Sequence, residues 1–426
     1  MTPHTREKGG GAWRRRLGPC LLLMITVSVG SLAEAQPAAP PIGASVESVL
    51  DAAHDLSPTL RAAALDTAAA SARADRADAL ANPMFNVQTM QVPGNRASMD
   101  QTTIMLQQEF PLWGKRGLRK SAALAMLDAA RGEERATTAE LDEKIEVAFA
   151  NYYKATKALT INTDVARLDT EMARVAANRL GQGVGTQADA LATQADATRT
   201  TVERLKLQRD LSAAKAQLNA LLARPSSSPL AEPLALRPLP LAVPNVDALL
   251  DRIERANPIL LAQGARVASA EAEQELAHKD WYPDITLGAG SQTNMGSWGY
   301  AASIGIKIPL QWGAQESAEQ EAAAKLGAAR QRLAASRAEV EGDLAQAISA
   351  LSAAGEMGAA RRTQLVPQLT AAYKSALAEY ASGHGELMPA LESVHRLHDT
   401  ELELLDTDVE GQTALAMIER LLGSSL

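Results

Sequence analysis

Prolines and glycines, the residues that interrupt regular structure, recur along this 426-residue chain at an offset within two residues of 200. Pro58 returns as Pro258 and Pro83 as Pro283, so the 25-residue spacing inside each pair is kept. Pro111-Leu112 returns as Pro309-Leu310, Gly183 as Gly383, Leu191 as Leu391, and Leu218, Leu221 and Leu222 as Ile418, Leu421 and Leu422. A period of half the chain marks a duplication, not a short solenoid repeat. Any fold for this sequence has to be built twice.

Each half follows one plan. Residues 46 to 81 read as helical, and Pro83 and Trp113-Gly114 then bracket two extended segments. A long helix is expected from about 116 to 180, ended by Gly181, Gly183 and Gly185, with a return helix from 187 to 223. At 1.5 Å per residue the long helix spans roughly 100 Å, which only a coiled-coil arrangement needs. Its counterpart in the second half contains Gly342, Gly355, Gly358 and Pro367, so bends or a break are expected there. The expected organisation is 36–223 as a first repeat, 224–245 as a Pro- and Ser-rich equatorial linker, and 246–426 as a second repeat. Aromatic residues make up 3% of the chain and alanine dominates 61 to 81 and 320 to 354, a composition suited to closely layered helices.

The first 35 residues read as an export signal. Arg14, Arg15 and Arg16 precede the apolar run Cys20 to Val29, and Ala33-Glu34-Ala35 supplies a small-residue cleavage site. The lone cysteine, Cys20, leaves with that segment, and with it go any disulfide, thiolate ligand or thiol nucleophile. Removing five basic and two acidic residues with the leader takes the net charge from −8 to −11, which argues against a nucleic-acid partner. Beyond the leader no apolar run reaches the length of about 18 residues that marks a transmembrane helix. No phosphate-binding loop, nucleophile elbow or zinc-protease motif is present, so neither an enzyme nor a cofactor site is expected.

Strand character is clearest at the end of the second half. There Tyr300, Ala302, Ile304, Ile306, Ile308 and Leu310 alternate with Ala301, Ser303, Gly305, Lys307 and Pro309. The expected strands are 84–92, 101–112, 284–293 and 299–310, near the 9 to 11 residues that cross a bilayer at a tilt. Turns at Pro93-Gly94-Asn95 and Asn294-Met295-Gly296 make two hairpins, and Trp113, Trp281, Tyr282, Trp298 and Trp312 fall at segment ends like an interfacial girdle. The alternation also fits a small soluble sheet packed on the helices. Four strands cannot close a membrane barrel and lipid tolerates no open edge, so in a membrane several chains must share one barrel.

Two groups of side chains carry metal-ligand chemistry. Glu392, His395 and His398 lie at three-residue spacing on one helix face, a weak candidate metal site that a solvated face explains as well. Met84, Met90, Met99, Met105 and Met295 sit on or near the hairpins, where lipid-facing or gap-filling roles are the simpler expectation.

Taken in order, several short motifs resemble the TolC-like outer-membrane efflux protein family over the whole chain after the leader. They are Ser57-Pro58-x-Leu60 and Asn257-Pro258-x-Leu260, Trp281-Tyr282-Pro283-Asp284, Glu109-Phe110-Pro111-Leu112-Trp113-Gly114-Lys115-Arg116, and Tyr380-Ala381-Ser382-Gly383. The resemblance implies an α+β membrane protein made of a duplicated helix, β-hairpin, long-helix and helix unit. It implies a homotrimer with a twelve-stranded outer-membrane β-barrel continued by a periplasmic α-helical tunnel. Its implied partners are outer-membrane lipid, a periplasmic adaptor and an inner-membrane pump of the resistance-nodulation-division class, and its nearest branch is that of heavy-metal pumps. A drug or organic-solute channel of the same family, and a periplasmic coiled-coil adaptor, are the alternatives. By the same resemblance Gly183-Val184-Gly185-Thr186 and Gly383-His384-Gly385-Glu386 form the adaptor-docking tip, and Asp189 and Glu392 are candidates for the periplasmic gate. Gly385 and Pro389 stand where the family's latch has an arginine and an aspartate, so that latch does not transfer intact.

Overall fold

The computed structural model describes residues 41–92, 99–240, 246–294 and 297–426. The expected leader, Pro93-Gly94-Asn95 and Met295-Gly296 lie outside the described residues. The duplication is visible as two runs of elements. The first comprises α1 (Val46–Leu56), α2 (Pro58–Arg76), β1 (Met84–Val92), β2 (Met99–Phe110), α3 (Lys115–Gly181) and α4 (Gln187–Leu221). The second comprises α5 (Val246–Ala256), α6 (Pro258–Lys279), β3 (Asp284–Asn294), β4 (Ser297–Lys307), α7 (Trp312–Ala360), α8 (Val366–Ser382) and α9 (Leu387–Leu422).

The paired Ser/Asn-Pro-x-Leu motifs start α2 and α6. The Ser57 side chain accepts the Leu60 N–H at 3.4 Å, and Asn257 Oδ1 accepts the Leu260 N–H at 2.9 Å. Proline follows at the first helical position, where its missing N–H costs nothing. Asn257 also donates from Nδ2 to the Leu421 carbonyl at 2.9 Å and so ties the start of α6 to the end of α9. Each repeat closes its own core around this corner. Val49, Ala53, Ile145, Phe149, Tyr152, Leu218 and Leu222 form the first core, and Leu249, Ile253, Leu344, Leu351, Ile418, Leu421 and Leu422 the second.

Helix α3 runs 67 residues without a break, about 100 Å. Its counterpart does break, although not at its glycines. Helix α7 continues through Gly342, Gly355 and Gly358, and a π-helical turn at Arg361–Leu365 then leads into α8. The cause is Pro367, which has no N–H for the helical ladder; the turn ahead of it widens, and the Val366 N–H reaches back five residues to the Arg361 carbonyl. Arg361 and Arg362 leave this turn to grip α9, at Glu403 (3.1 Å) and Asp408 (2.8 Å).

The strands form one antiparallel sheet in the order β1-β2-β3-β4, with the two hairpins side by side and β1 and β4 as free edges. Two strands stop short of the expected bounds: β2 ends at Phe110, not 112, and β4 at Lys307, not 310. Pro111 and Pro309 are responsible, because neither can donate to a ladder. Segment 46–81, expected as one helical pattern, is divided at Pro58 and ends at Arg76. Among the described residues no helix is long and apolar enough to cross a membrane.

Candidate functional site

The register sorts the sheet into two faces. Phe85, Val87, Ile104, Leu106, Phe110, Ile285, Leu287, Ile304 and Ile306 share one face. Asn86, Gln88, Thr103, Gln107, Glu109, Thr286, Gly288, Ser303 and Gly305 share the other. Met84, Met90 and Met105 lie on the polar face. Met105 fills a gap there, its sulfur accepting from Gln107 Nε2 at 3.3 Å and Ser303 Oγ at 3.2 Å. The aromatics divide between the two ends of the sheet. Trp113, Trp281, Tyr282 and Trp312 lie at the helical end, and Trp298, 68% exposed, lies at the hairpin end.

Two of the quoted motifs interlock where sheet meets helix. Trp113 and Gly114 both take left-handed backbone conformations, φ 60° and 81°, and turn the chain sharply from β2 into α3. A tryptophan there is strained, and what holds it is Trp-Tyr-Pro-Asp from the other repeat. Trp113 Nε1 donates to the Pro283 carbonyl at 2.9 Å, and its ring lies 5.2 Å from that of Tyr282. Lys115 is only 2% exposed; its ammonium reaches Asp284 at 3.0 Å, the Tyr282 carbonyl at 2.9 Å and Asp280 at 3.5 Å. Asp284 in turn accepts the Leu112 N–H at 3.0 Å. Sheet and helices are thus joined by a buried ion pair across the repeat boundary.

A second clamp lies between the two repeats. The 224–240 segment runs beside the start of the described chain, with Ala231 N–H on the Ile42 carbonyl at 2.9 Å and Leu234 N–H on the Ala44 carbonyl at 3.0 Å. From it Arg237 inserts between Glu146 of the first repeat (2.9 Å) and Glu419 of the second (2.8 Å). One guanidinium faces two carboxylates in a confined space. Burial pushes Glu146 up to about 7, with Arg237 opposing and Glu419 reinforcing the shift.

The tips, where each helical pair turns, are built the same way twice. Gly183 and Gly383 sit at φ 74° and 85° with open space where a Cβ would go, so only the backbone conformation demands glycine. The N–H groups of Val184 and Gly185 both return to the Arg179 carbonyl, and those of His384 and Gly385 to the Glu379 carbonyl. A Cβ at Gly185 would stand 2.7 Å from the Leu180 nitrogen, so this second glycine allows the close approach. Beyond the turns the halves differ. Thr186 caps α4 by accepting the Asp189 N–H at 3.1 Å, whereas Glu386 makes no cap bond and His384 instead contacts Ser382 at 3.1 Å. Arg179 crosses from the first tip to the second: its guanidinium stacks 4.5 Å from the centre of the Tyr380 ring and donates to the Tyr380 carbonyl. Asp189 is close enough for its charge to add to burial in raising the Tyr380 phenol. Arginine at the tip therefore comes from α3, not from the Gly385 position. Glu392 is exposed and pairs with Arg396 at 2.6 Å.

The Glu392, His395 and His398 face is thereby split. His395 turns inward to Asp196 at 2.9 Å, and Asp196 lies near Asp169, itself 2% exposed and accepting Thr200 Oγ1 at 2.5 Å. His398 is held neutral by burial, which lowers it below its ordinary range. Among the described residues no group of three His, Cys, Asp or Glu is placed to hold a metal ion. The sequence reading singled out neither Arg179 nor Arg237, and nothing local marked them. Tyr380, Lys115 and Asp284 stood inside quoted motifs without a role.

The family model of the outer membrane efflux proteins matches residues 49–224 and again 249–424, one match per repeat. The chain belongs to that family. Membership places it in the outer membrane, in a class of transport channels. It is 27% identical to the nickel and cobalt resistance protein CnrC of Cupriavidus metallidurans over 306 residues, 70% of this chain and 69% of that protein. It is 24% identical to the nickel-cobalt-cadmium resistance protein NccC of Alcaligenes xylosoxydans xylosoxydans over 356 residues, 79% and 76% of the two chains. The structure of CusC, solved in connection with transmembrane channel formation, superposes with a TM-score of 0.78 at 18% identity, covering 89% and 92% of the two chains. That likeness establishes a shared fold.

Proposed function

We propose that this outer membrane efflux protein is the exit duct of a tripartite pump. Three copies would close a twelve-stranded barrel continued by a helical tunnel in the periplasm. The observation that carries this reading is the sheet: four membrane-length strands with one apolar face and two open edges, joined by a buried ion pair to a helix of about 100 Å. Such a sheet satisfies its edges in lipid only by sharing a barrel. Residues 1–35 serve as the export signal, and 36–223 and 246–426 are the two repeats about the 224–245 linker. The aromatic rings at the two ends of the sheet mark the membrane interfaces, and the duplicated Gly-x-Gly turns meet a periplasmic adaptor. The energy comes from an inner-membrane pump of the resistance-nodulation-division class.

The cargo in this reading is heavy-metal ions, supported by the resistance named for CnrC and NccC. Deletion of the gene, followed by growth on nickel, cobalt, cadmium, zinc and copper salts and on a drug panel, tests it. Sensitivity to one or more metals, with tolerance restored by the cloned gene, is the expected result. Drug sensitivity with unchanged metal tolerance would favour an organic-solute duct of the same family.

A further inference from the structure

The two free edges of the sheet are not strangers to each other, because duplication makes β2 the counterpart of β4 and β3 the counterpart of β1. The β2–β3 seam, where the repeats meet inside one chain, is therefore a template for a seam between chains. We propose that β4 pairs antiparallel with β1 of a second copy in one defined register, Ile306 opposite Val87 of the partner subunit and Gly305 opposite Gln88 of the partner subunit. This rests on the shared-barrel reading above and adds the pairing itself.

Pleating removes half of the alternatives. Ile304 and Ile306 lie on the apolar face with Phe85 and Val87, and a shift of one residue would oppose Ile306 to the polar face. Registers two residues apart remain, and two anchors choose differently among them. Pro111 and Pro309 each follow the last strand residues of a hairpin, and Pro83 and Pro283 each precede the first. Superposing these prolines carries the Gln108–Leu287 pair onto Ile306 and Val87. Superposing the hairpin ladders instead, where Met84 faces Gln107 and Asp284 faces Lys307, carries Leu106–Ala289 onto Ile306 and Thr89.

Closure decides between them. A path across one subunit runs from Phe85 to Leu106, Ala289 and Ala302. The proline-anchored register then lands about six residues along β1 of the next copy, and the ladder-anchored one about eight, for three-fold totals of about 18 and 24. With strands about 4.8 Å apart and a rise of about 3.3 Å per residue, these totals tilt the strands by about 46° and 54°. Membrane barrels tilt about 35–45°, so the proline anchors win. A slip the other way closes at about 35°, but neither anchor supports it. The seam also differs chemically from its template. Met84 stands in the place of Asp284 and Ala314 in that of Lys115, beside Leu310 and Trp312, which are 73% and 69% exposed. No ion pair closes it.

Cysteine pairs read the register directly. In a Cys20→Ser background, Gln88→Cys is combined in turn with Ser303→Cys, Gly305→Cys and Lys307→Cys. A Cβ at Gly305 meets Thr286 at 3.6 Å, ordinary contact, so this position accepts a side chain. Directly opposed residues fall within the roughly 4.4–6.8 Å Cα separation a disulfide needs, and a two-residue slip adds about 6.8 Å. Oxidation of outer membranes is followed on non-reducing gels, and assembly by native gels of the single variants. We expect covalent dimers and trimers from Gln88/Gly305 at least tenfold above the other pairs. Preferential bridging of Ser303 or Lys307 overturns the register and leaves the shared barrel standing. No bridging in any pair of assembled trimers overturns the seam. Single variants and unsubstituted protein that are all monomeric overturn the shared barrel as well.

Discussion

Replacing Lys115 by methionine keeps an unbranched apolar stem and removes the ammonium, with its charge and its hydrogen bonds to Asp284 and the Tyr282 carbonyl. The ammonium is 2% exposed and its main partner Asp284 is 13% exposed, so solvent cannot make good the loss. Breaking a buried pair from one side costs about 3–5 kcal/mol. The lower end applies here, because Asp284 keeps the Leu112 N–H at 3.0 Å. Asp280, 45% exposed, adds under about 1 kcal/mol. With an unfolding entropy of about 2.1 cal/mol/K per residue over roughly 390 residues, a loss of about 3 kcal/mol lowers the melting temperature by about 4 °C. Lys115→Met with Asp284→Asn leaves no buried charge unpaired, since Asp280 is 45% exposed, and should recover about half of that shift. The assay is thermal unfolding of detergent-purified protein for both single variants, the double variant and the parent, closed as a cycle in which the double variant loses less than the sum of the two single variants. A Lys115→Met protein that melts within 1 °C of the parent, with no coupling to Asp284, would refute the assignment of this pair as the sheet-to-helix joint.

Further expectations follow from the tips and from the buried ionisable groups. Gly183→Asp and Gly383→Asp each force a side chain into a left-handed conformation at a cost of about 1–2 kcal/mol, with no steric clash to add. They should restore metal tolerance poorly in a deletion strain while native gels show normal assembly, and loss of assembly would contradict the placing of the turns at a docking tip. Glu146 holds its proton up to about 7 in the folded protein against an ordinary 4.5, so its contribution to stability is complete below pH 4.5 and is lost as pH rises through 7. Glu146→Gln should flatten the melting temperature between pH 5 and 8, and an unchanged slope would remove the account of Glu146 as a raised, buried acid in the Arg237 clamp. His398 is depressed from its ordinary 6.5, so its contribution is present above that value and is lost as pH falls below it. His398→Gln should therefore lose less stability than the parent between pH 7.5 and 5.5, and equal losses would count against the buried neutral imidazole.

Much of the architecture could be read before the structure because its signals were periodic or repeated. The 200-residue offset gave the plan, Pro58 and Pro258 gave helix starts, and strand alternation gave the two faces. Strand ends were misjudged because alternation continues through Ile308 and Leu310, whereas the ladder stops for want of a proline N–H. Which methionines fill gaps was set by pleat parity, which puts Met105 between Gln107 and Ser303. At the tips the glycines stood out, since a left-handed turn needs them locally. Arg179 did not, because its partner Tyr380 lies 201 positions away. Arg237 and the acids it joins were silent for the same reason. The three-residue spacing of Glu392, His395 and His398 puts them near one another on a helix, but it does not say which neighbours each will meet. Here Asp196 takes His395 and Arg396 takes Glu392.

The most direct test of a channel is current. Purified protein reconstituted into planar lipid bilayers should produce discrete, ohmic conductance steps. Folded, assembled protein that inserts into the bilayer and carries no current would contradict the account.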